Sequence, residues 1–165
     1  MAEDVCSVVL ALDQASSTGW AVADFHGNII GSGTKKFVGA LPAKLVSFYM
    51  WLDEMLVEYK PVAIAHEKPH FRGYGATMTG VGFVTCISMQ GFLHNLPILA
   101  VHTATLKSFA TGKGKAKKEA MTAAAESITG DKLDVKKDND AADAIHIARW
   151  AVEELTKNGV SDERG

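Results

Sequence analysis

The hydrophobic period of this chain changes once, near residue 41, and that change limits the folds open to it. Before it, three short β-prone runs follow one another with tight connections. They are CSVVLAL at 6–12, GWAVAD at 19–24 and IIGSGTKKF from Ile29, with an HGN turn signal at 26–28 before the third. After it, Leu45, Phe48, Trp51, Leu52, Met55, Leu56 and Tyr59 recur at helical spacing, which predicts an amphipathic helix over Leu41–Tyr59. Pro61 closes that segment. VAIAHE at 62–67 and PILAV at 97–101 read as short buried strands. Between them, residues 75–93 mix Gly, Ala, Thr, Ser and apolar residues without a charge, predicting a buried or interfacial helix. A short helix is predicted over 103–110. A glycine–lysine loop then runs into an Ala-rich helix, and a final helix ends near Lys157.

The order is βββαβαβα, with short helices around the last strand. It predicts an α/β fold: a mixed five-stranded sheet, three antiparallel strands then two parallel ones, flanked by helices. Residues 1–157 are predicted to form a single domain, and 158–165 (NGVSDERG) a flexible tail. At 165 residues with 47% apolar and 22% charged residues, a real core is affordable and disorder is disfavoured. The net charge of −2 offers no global basic field, so any nucleic-acid binding must come from a local patch. Cys6 and Cys86 are too few and too far apart for a disulfide framework or a zinc site, and read as free thiols. MAEDVCSVVLALD puts acids before a short apolar run, unlike a signal peptide. Uninterrupted apolar runs fall far short of a membrane span. The expectation is a cytoplasmic protein with no membrane partner.

The acids fall in a pattern. Asp13 ends the first strand and Glu67 the fourth. Asp140 and Asp143 open the last helix, three residues apart, beside the apolar stripe of Ala141, Ala144, Ile145 and Ala148. Two like charges at that spacing destabilise an isolated helix. Singly, each acid has an ordinary reading. Asp13 could cap a turn, Glu67 could pair with Lys68, and Asp140 could favour the positive end of its helix. Together, four converging carboxylates repel unless a divalent cation neutralises them. Oxygen ligands without a His or Cys cluster suit Mg²⁺ or Mn²⁺. Two such ions, roughly 3.5–4 Å apart, could activate a water and stabilise the leaving oxygen in phosphodiester cleavage.

Two further stretches bear on binding. Lys107, Lys113, Lys115, Lys117 and Lys118 lie within twelve residues, around Gly112 and Gly114. Such a loop is either a solvated charge run or a phosphate cradle, and beside four acids the cradle is favoured. It lacks the full GxxxxGK[ST] pattern of a nucleotide P-loop. HEKPHFRGY at 66–74 follows the second acid. There Phe71 or Tyr74 could stack on an unpaired base and Arg72 could meet phosphate. Alternatively Phe71 tucks into the core and His70 sits at the surface. His146, one turn past Asp143, reads as a surface or supporting histidine rather than one assisting a metal-bound water.

Four stretches, ALDQASSTGWAV, AIAHEKPHF, TLKSFATGKGKAKKEAM and DNDAADAIHIA, together resemble RuvC-type Holliday junction resolvases of the ribonuclease H-like superfamily. The resemblance covers about residues 6–153. It implies a ribonuclease H-like fold, with Asp13, Glu67, Asp140 and Asp143 as catalytic metal ligands for two Mg²⁺ ions, Mn²⁺ substituting. It implies Lys107 and Lys118 nearest the scissile phosphate, with Lys113 and Lys115 on flanking backbone. The implied activity is symmetric nicking of four-way DNA junctions by a homodimer, leaving 5′-phosphate ends. In such a dimer the 75–93 helix packs against its twin, and Gly80, Gly82 and Ser88 would permit close approach. The competing reading buries that helix inside the monomer. Gln14 and Ala15 stand where cellular members carry Pro-Gly, and the loop to Thr18 and Gly19 is compressed, which resembles divergent phage-type members. That leaves open whether other branched DNA is also cut. Two other readings compete: a branched-DNA binding protein without catalysis, and a fragment of the actin-like ATPase or sugar-kinase fold, whose N-terminal hairpin the first stretch also resembles.

Overall fold

The computed structural model describes residues 6–160. Its elements are β1 (Val8–Asp13), β2 (Ser17–Asp24), β3 (Ile29–Lys36), α1 (Leu41–Tyr59), β4 (Ala63–Glu67), α2 (Gly73–Leu93), β5 (Ile98–Val101), α3 (Thr103–Thr111), α4 (Lys118–Thr129) and α5 (Asn139–Lys157). Each predicted element is present, with ends displaced by a residue or two, and α1 has the predicted bounds. The sheet order is β3-β2-β1-β4-β5. β1–β2 and β2–β3 pair antiparallel; β1–β4 and β4–β5 pair parallel. This is a ribonuclease H-like fold, as expected.

The period-2 alternation of the central strands separates two cores. Val8, Leu10 and Leu12 of β1 and Ile64 of β4 face α1 and α2, against an aromatic cluster of Phe37, Phe48 and Phe83. Val9 and Ala11 of β1, and Ala63 and Ala65 of β4, face the other way, against α5. Small residues line that second face on both partners: Ala141, Ala144, Ala148 and Ala151 answer from the helix. Small side chains let the helix sit close to the sheet.

α5 is buried on more sides than its apolar stripe suggested. Ala142, His146 and Ile147 are also buried, because α4 covers the flank that the sheet leaves open. His146 is therefore not a surface histidine. Its Nε2 lies 2.8 Å from the Met121 carbonyl and pins α5 to α4. Burial lowers its pKa, the bond to Met121 opposing.

α2 departs from expectation twice. It is not buried: Tyr74, Met78, Val81, Met89, Phe92 and Leu93 are exposed. It is also long and apolar enough to cross a membrane by length and composition, with mean hydropathy 1.3. Its interspersed Gly, Thr and Ser break the apolar run without lowering that mean much. Its inner face, Phe83, Cys86, Ile87 and Gln90, is packed within the protein core and against α1. Gly82 faces Leu45 of α1, where an added Cβ would meet Leu45 Cδ1 at 2.9 Å, and Gly80 faces Pro69. These two glycines therefore serve contacts inside the protomer. Cys6 and Cys86 are free thiols. At the far end of the described chain, Val160 N–H donates to the Leu155 carbonyl, so residues 158–160 continue the cap of α5. The rest of the predicted tail, 161–165, lies outside the described residues.

Candidate metal and phosphate site

The register of the sheet dictates where two of the acids go. β1 and β4 run parallel, with Val9 opposite Ala63, Ala11 opposite Ala65 and Leu12 opposite His66. One step further, Asp13 and Glu67 end adjacent strands at the same level. By the period of two, both continue the face of Val9, Ala11, Ala63 and Ala65, the one α5 covers. α5 begins there, so Asp140 and Asp143 arrive over the strand ends. Gly19 makes the approach possible. It pairs with Asp13 across β1–β2, and a Cβ at Gly19 would lie 1.8 Å from the Asp140 carbonyl oxygen. This close contact is absent from the sequence pattern.

Neighbouring side chains hold the acids apart. Thr103 Oγ1 donates to Glu67 Oε1, and His70 Nε2 lies 3.0 Å from the same oxygen. His70 and Thr103 also meet, at 2.7 Å. Asp140 accepts from Ser17 Oγ at 2.8 Å and from Asn139 Nδ2 at 2.7 Å. Asp13 takes no hydrogen bond among the described residues. The Glu67–Lys68 pair considered from the sequence does not form: Lys68 Nζ lies 3.0 Å from His102 Nε2. Gln14 Nε2 donates to the Glu67 carbonyl at 2.6 Å and ties the two strand ends together. Ser17, His70, Thr103 and Gln14 went unassigned in the sequence. Only Gln14 carried a signal, as a departure from the family pattern.

The electrostatics show convergence. Burial, then Asp143, Glu67 and Asp140, push the Asp13 carboxyl well above the usual range, with Lys118 opposing. Burial, then Glu67 and Asp140, push Asp143 from 3.8 to about 6, with Lys107 and Lys118 opposing. The two lysines singled out from the sequence are thus electrostatic neighbours of Asp143. Among the described residues no three His, Cys, Asp or Glu side chains stand as a closed metal cage. Repelling carboxylates turned onto Ser17, Thr103 and His70 account for that spread. The donor set fits a hard divalent cation: carboxylate oxygens from three elements, with their mutual repulsion incompletely offset.

A stability prediction follows from these shifts. A folded carboxyl with a raised pKa holds its proton to higher pH than the unfolded chain does. Between pH about 4 and about 6 the folded state binds more protons, so stability falls as pH rises. For Asp143 alone the full penalty above that window is on the order of 3 kcal/mol. In EDTA the melting temperature should fall across this window, Mg²⁺ should restore it, and Asp143→Asn should remove much of the slope. A melting curve indifferent to both metal and the substitution would count against the carboxylate cluster.

The remaining candidates take varied positions. Lys113 and Lys115 are exposed on the 112–117 loop, and Lys117 caps α4. Phe71 is 79% exposed, so it does not tuck into the core, and Tyr74 beside it is 84% exposed. Arg72 and Lys68 line a cleft that opens beside Asp13 and Glu67. Lys44 of α1 donates to Ser16 Oγ at 3.0 Å, adding a cation next to Ser17.

No family model matches the chain. It is 27% identical over 148 residues to the crossover junction endodeoxyribonuclease RuvC of Shewanella oneidensis, covering 86% of this chain and 84% of that one. It is 29% identical over 150 residues to the RuvC of Ralstonia pickettii, covering 85% and 80%. Among solved structures it matches Thermus thermophilus RuvC with a TM-score of 0.76 and 20% identity, covering 94% of this chain and 98% of that one. The same protein in complex with a Holliday junction substrate matches at 0.75 and 18%, covering 90% and 96%. The yeast mitochondrial Holliday junction resolvase Ydc2 matches at 0.61 and 16%, covering 93% and 83%. The chain thus resembles RuvC-type resolvases over most of its length.

Proposed function

We propose that this RuvC-like chain is a divalent-metal-dependent endonuclease that nicks branched DNA at four-way junctions and leaves 5′-phosphate ends. The observation that carries the reading is the convergence of Asp13, Glu67, Asp140 and Asp143, with Lys107 and Lys118 in electrostatic reach of Asp143. These four carboxylates would hold Mg²⁺, with Mn²⁺ as a substitute. When bound, two such ions supply an activated water and stabilise the departing 3′ oxygen. The chain's own residues position the parts. Gln14 and Thr103 hold Glu67, Ser17 holds Asp140, and Gly19 lets α5 close over Asp13. Lys107 and Lys118 bring the scissile phosphate to the acids, while Lys113 and Lys115 meet flanking phosphates. Lys44, Lys68 and Arg72 extend the cationic surface along the cleft. Such contacts position DNA with little sequence information.

Two symmetric cuts need two sites, which a two-fold homodimer supplies. The exposed residues Tyr74, Met78, Val81, Thr85, Met89 and Phe92 recur on α2 at spacings of three and four. That spacing draws one stripe along a helix and suits packing against a second copy. The working place of such a protein is the cytoplasm of a bacterium or of a phage-infected cell.

The test is a nicking assay with Mg²⁺ on a synthetic four-way junction, a Y-fork and linear duplex of matched sequence. Paired nicks confined to the junction are expected. Equal cutting of fork and junction would broaden the role to debranching, and no cutting with Mg²⁺ or Mn²⁺ would overturn the nuclease reading. Replacing Lys107 and Lys118 with Gln should lower the salt slope of junction binding by about 0.9 per lost phosphate contact. An unchanged slope would take both lysines away from the DNA.

A further inference from the structure

The cleft beside Asp13 has a lining that phosphate binding does not explain. It has a volume of about 560 Å³ and lies between the β1–β2 turn, the 68–72 segment and the first turns of α2. Neither Lys107 nor Lys118 lines it. Asp13 and Glu67 stand in its wall, yet Ala15, Pro69, Ala76, Gly80 and Phe83 give it a broad apolar surface. Phosphate and sugar gain nothing from such a surface, because both are well hydrated. The flat, weakly hydrated part of a nucleotide is its base. Gly80 keeps the wall low, since a Cβ there would already stand 3.4 Å from Pro69 Cβ.

Gln14 adds a second, independent observation. It lines the same cleft, and its Nε2 is committed to the Glu67 carbonyl. Its Oε1 is buried without a hydrogen-bond partner. A buried acceptor without a donor is unfavourable, and every base carries N–H groups on its edge.

We propose that this cleft is a nucleobase pocket. It takes an unpaired base adjacent to the phosphate held at the carboxylates, and Gln14 Oε1 accepts a hydrogen bond from the base edge. Lys68 and Arg72, on the same cleft, meet the phosphate beyond. The inference rests on the junction-nuclease reading and adds to it a determinant of which nucleotide flanks the cut. An extruded base costs least where pairing is already interrupted, as at a junction centre. The volume lies within the roughly 300–1,000 Å³ of small-molecule sites.

The test uses wild-type protein first, on junctions carrying an abasic nucleotide at either position flanking the scissile phosphate. At one of the two positions, loss of the base should slow cleavage about tenfold, the size of one lost stacking or edge contact. Ala76→Phe fills the pocket from an exposed helix position, and Gln14→Met removes the acceptor at similar length. With the normal junction, both variants should flatten the wild-type preference among the four bases at that position. Ala76→Phe should also cut the abasic and normal junctions at equal rates. Equal wild-type rates on abasic and normal junctions would overturn the pocket, whatever the variants do. So would an undiminished base preference in a folded Ala76→Phe protein. Absence of all wild-type cleavage is a different result, because it removes the nuclease reading itself.

Discussion

Asp13→Asn should reduce junction nicking by at least about 1,000-fold, a loss of roughly 4 kcal/mol of transition-state stabilisation. Binding to the junction in Ca²⁺ should survive. The reason lies in the position of Asp13 at the centre of the cluster. It ends the middle strand of the sheet, and three other carboxylates raise its pKa. The amide keeps the volume but removes the charge and one of the two anionic oxygens a divalent ion needs. The same change relieves repulsion, so the metal-free variant should melt at a higher temperature than the wild type at pH 7. A matching loss of binding and cleavage would argue that Asp13 acts on the fold or on DNA affinity, not on the metal. The paired readout, activity down and metal-free stability up, separates a ligand from an ordinary buried acid.

Gly19→Ala should be the most damaging single-methyl change in the sheet. The new Cβ would stand 1.8 Å from the Asp140 carbonyl oxygen, 2.1 Å from its carbon and 2.8 Å from the Ala141 nitrogen. All three are backbone atoms, so no side chain can rotate out of the way. Either β2 shifts from its neighbours or α5 lifts at its first turn. We expect a loss of about 2–4 kcal/mol, in the range of overpacked cores, and a melting temperature lower by roughly 5–15 °C. Activity should fall further than stability predicts, because Asp140 and Asp143 ride on the displaced turn. A variant melting within a degree of wild type, with unchanged Mg²⁺ dependence, would show that the strand absorbs the methyl group.

These two residues also mark what the sequence discloses and what it does not. Asp13 was legible because a charge ending an apolar run is conspicuous, and Glu67 repeats the pattern. The elements were legible because period 2 and period 3.6 barely overlap here: the apolar spacing of α1 admits no strand. Gly19 was opaque, since a glycine inside a strand says only that something comes close, not what. His146 was misjudged because one flank of α5 is covered by α4, an element with its own amphipathic signal and no mark of where it docks. α2 was misjudged for the opposite reason. A charge-free composition reports hydrophobicity, while burial depends on how much neighbouring surface there is to cover the helix. The partners of Glu67 were hidden by distance in sequence: Thr103 lies thirty-six residues away and meets it only because β5 pairs beside β4.

The scattering of the four acids along the chain has a consequence for synthesis. Residues 13 and 67 emerge from the ribosome long before residues 140 and 143, and β1, β2 and β4 can pair without α5. A nascent chain that stops short of α5 carries half the ligands, and its small-residue sheet face lacks a cover. Contacts this distant in sequence form late in folding. An enzyme that breaks DNA strands is thereby inert until translation has passed its last acid, and a truncated product has no partial activity to spend on the genome.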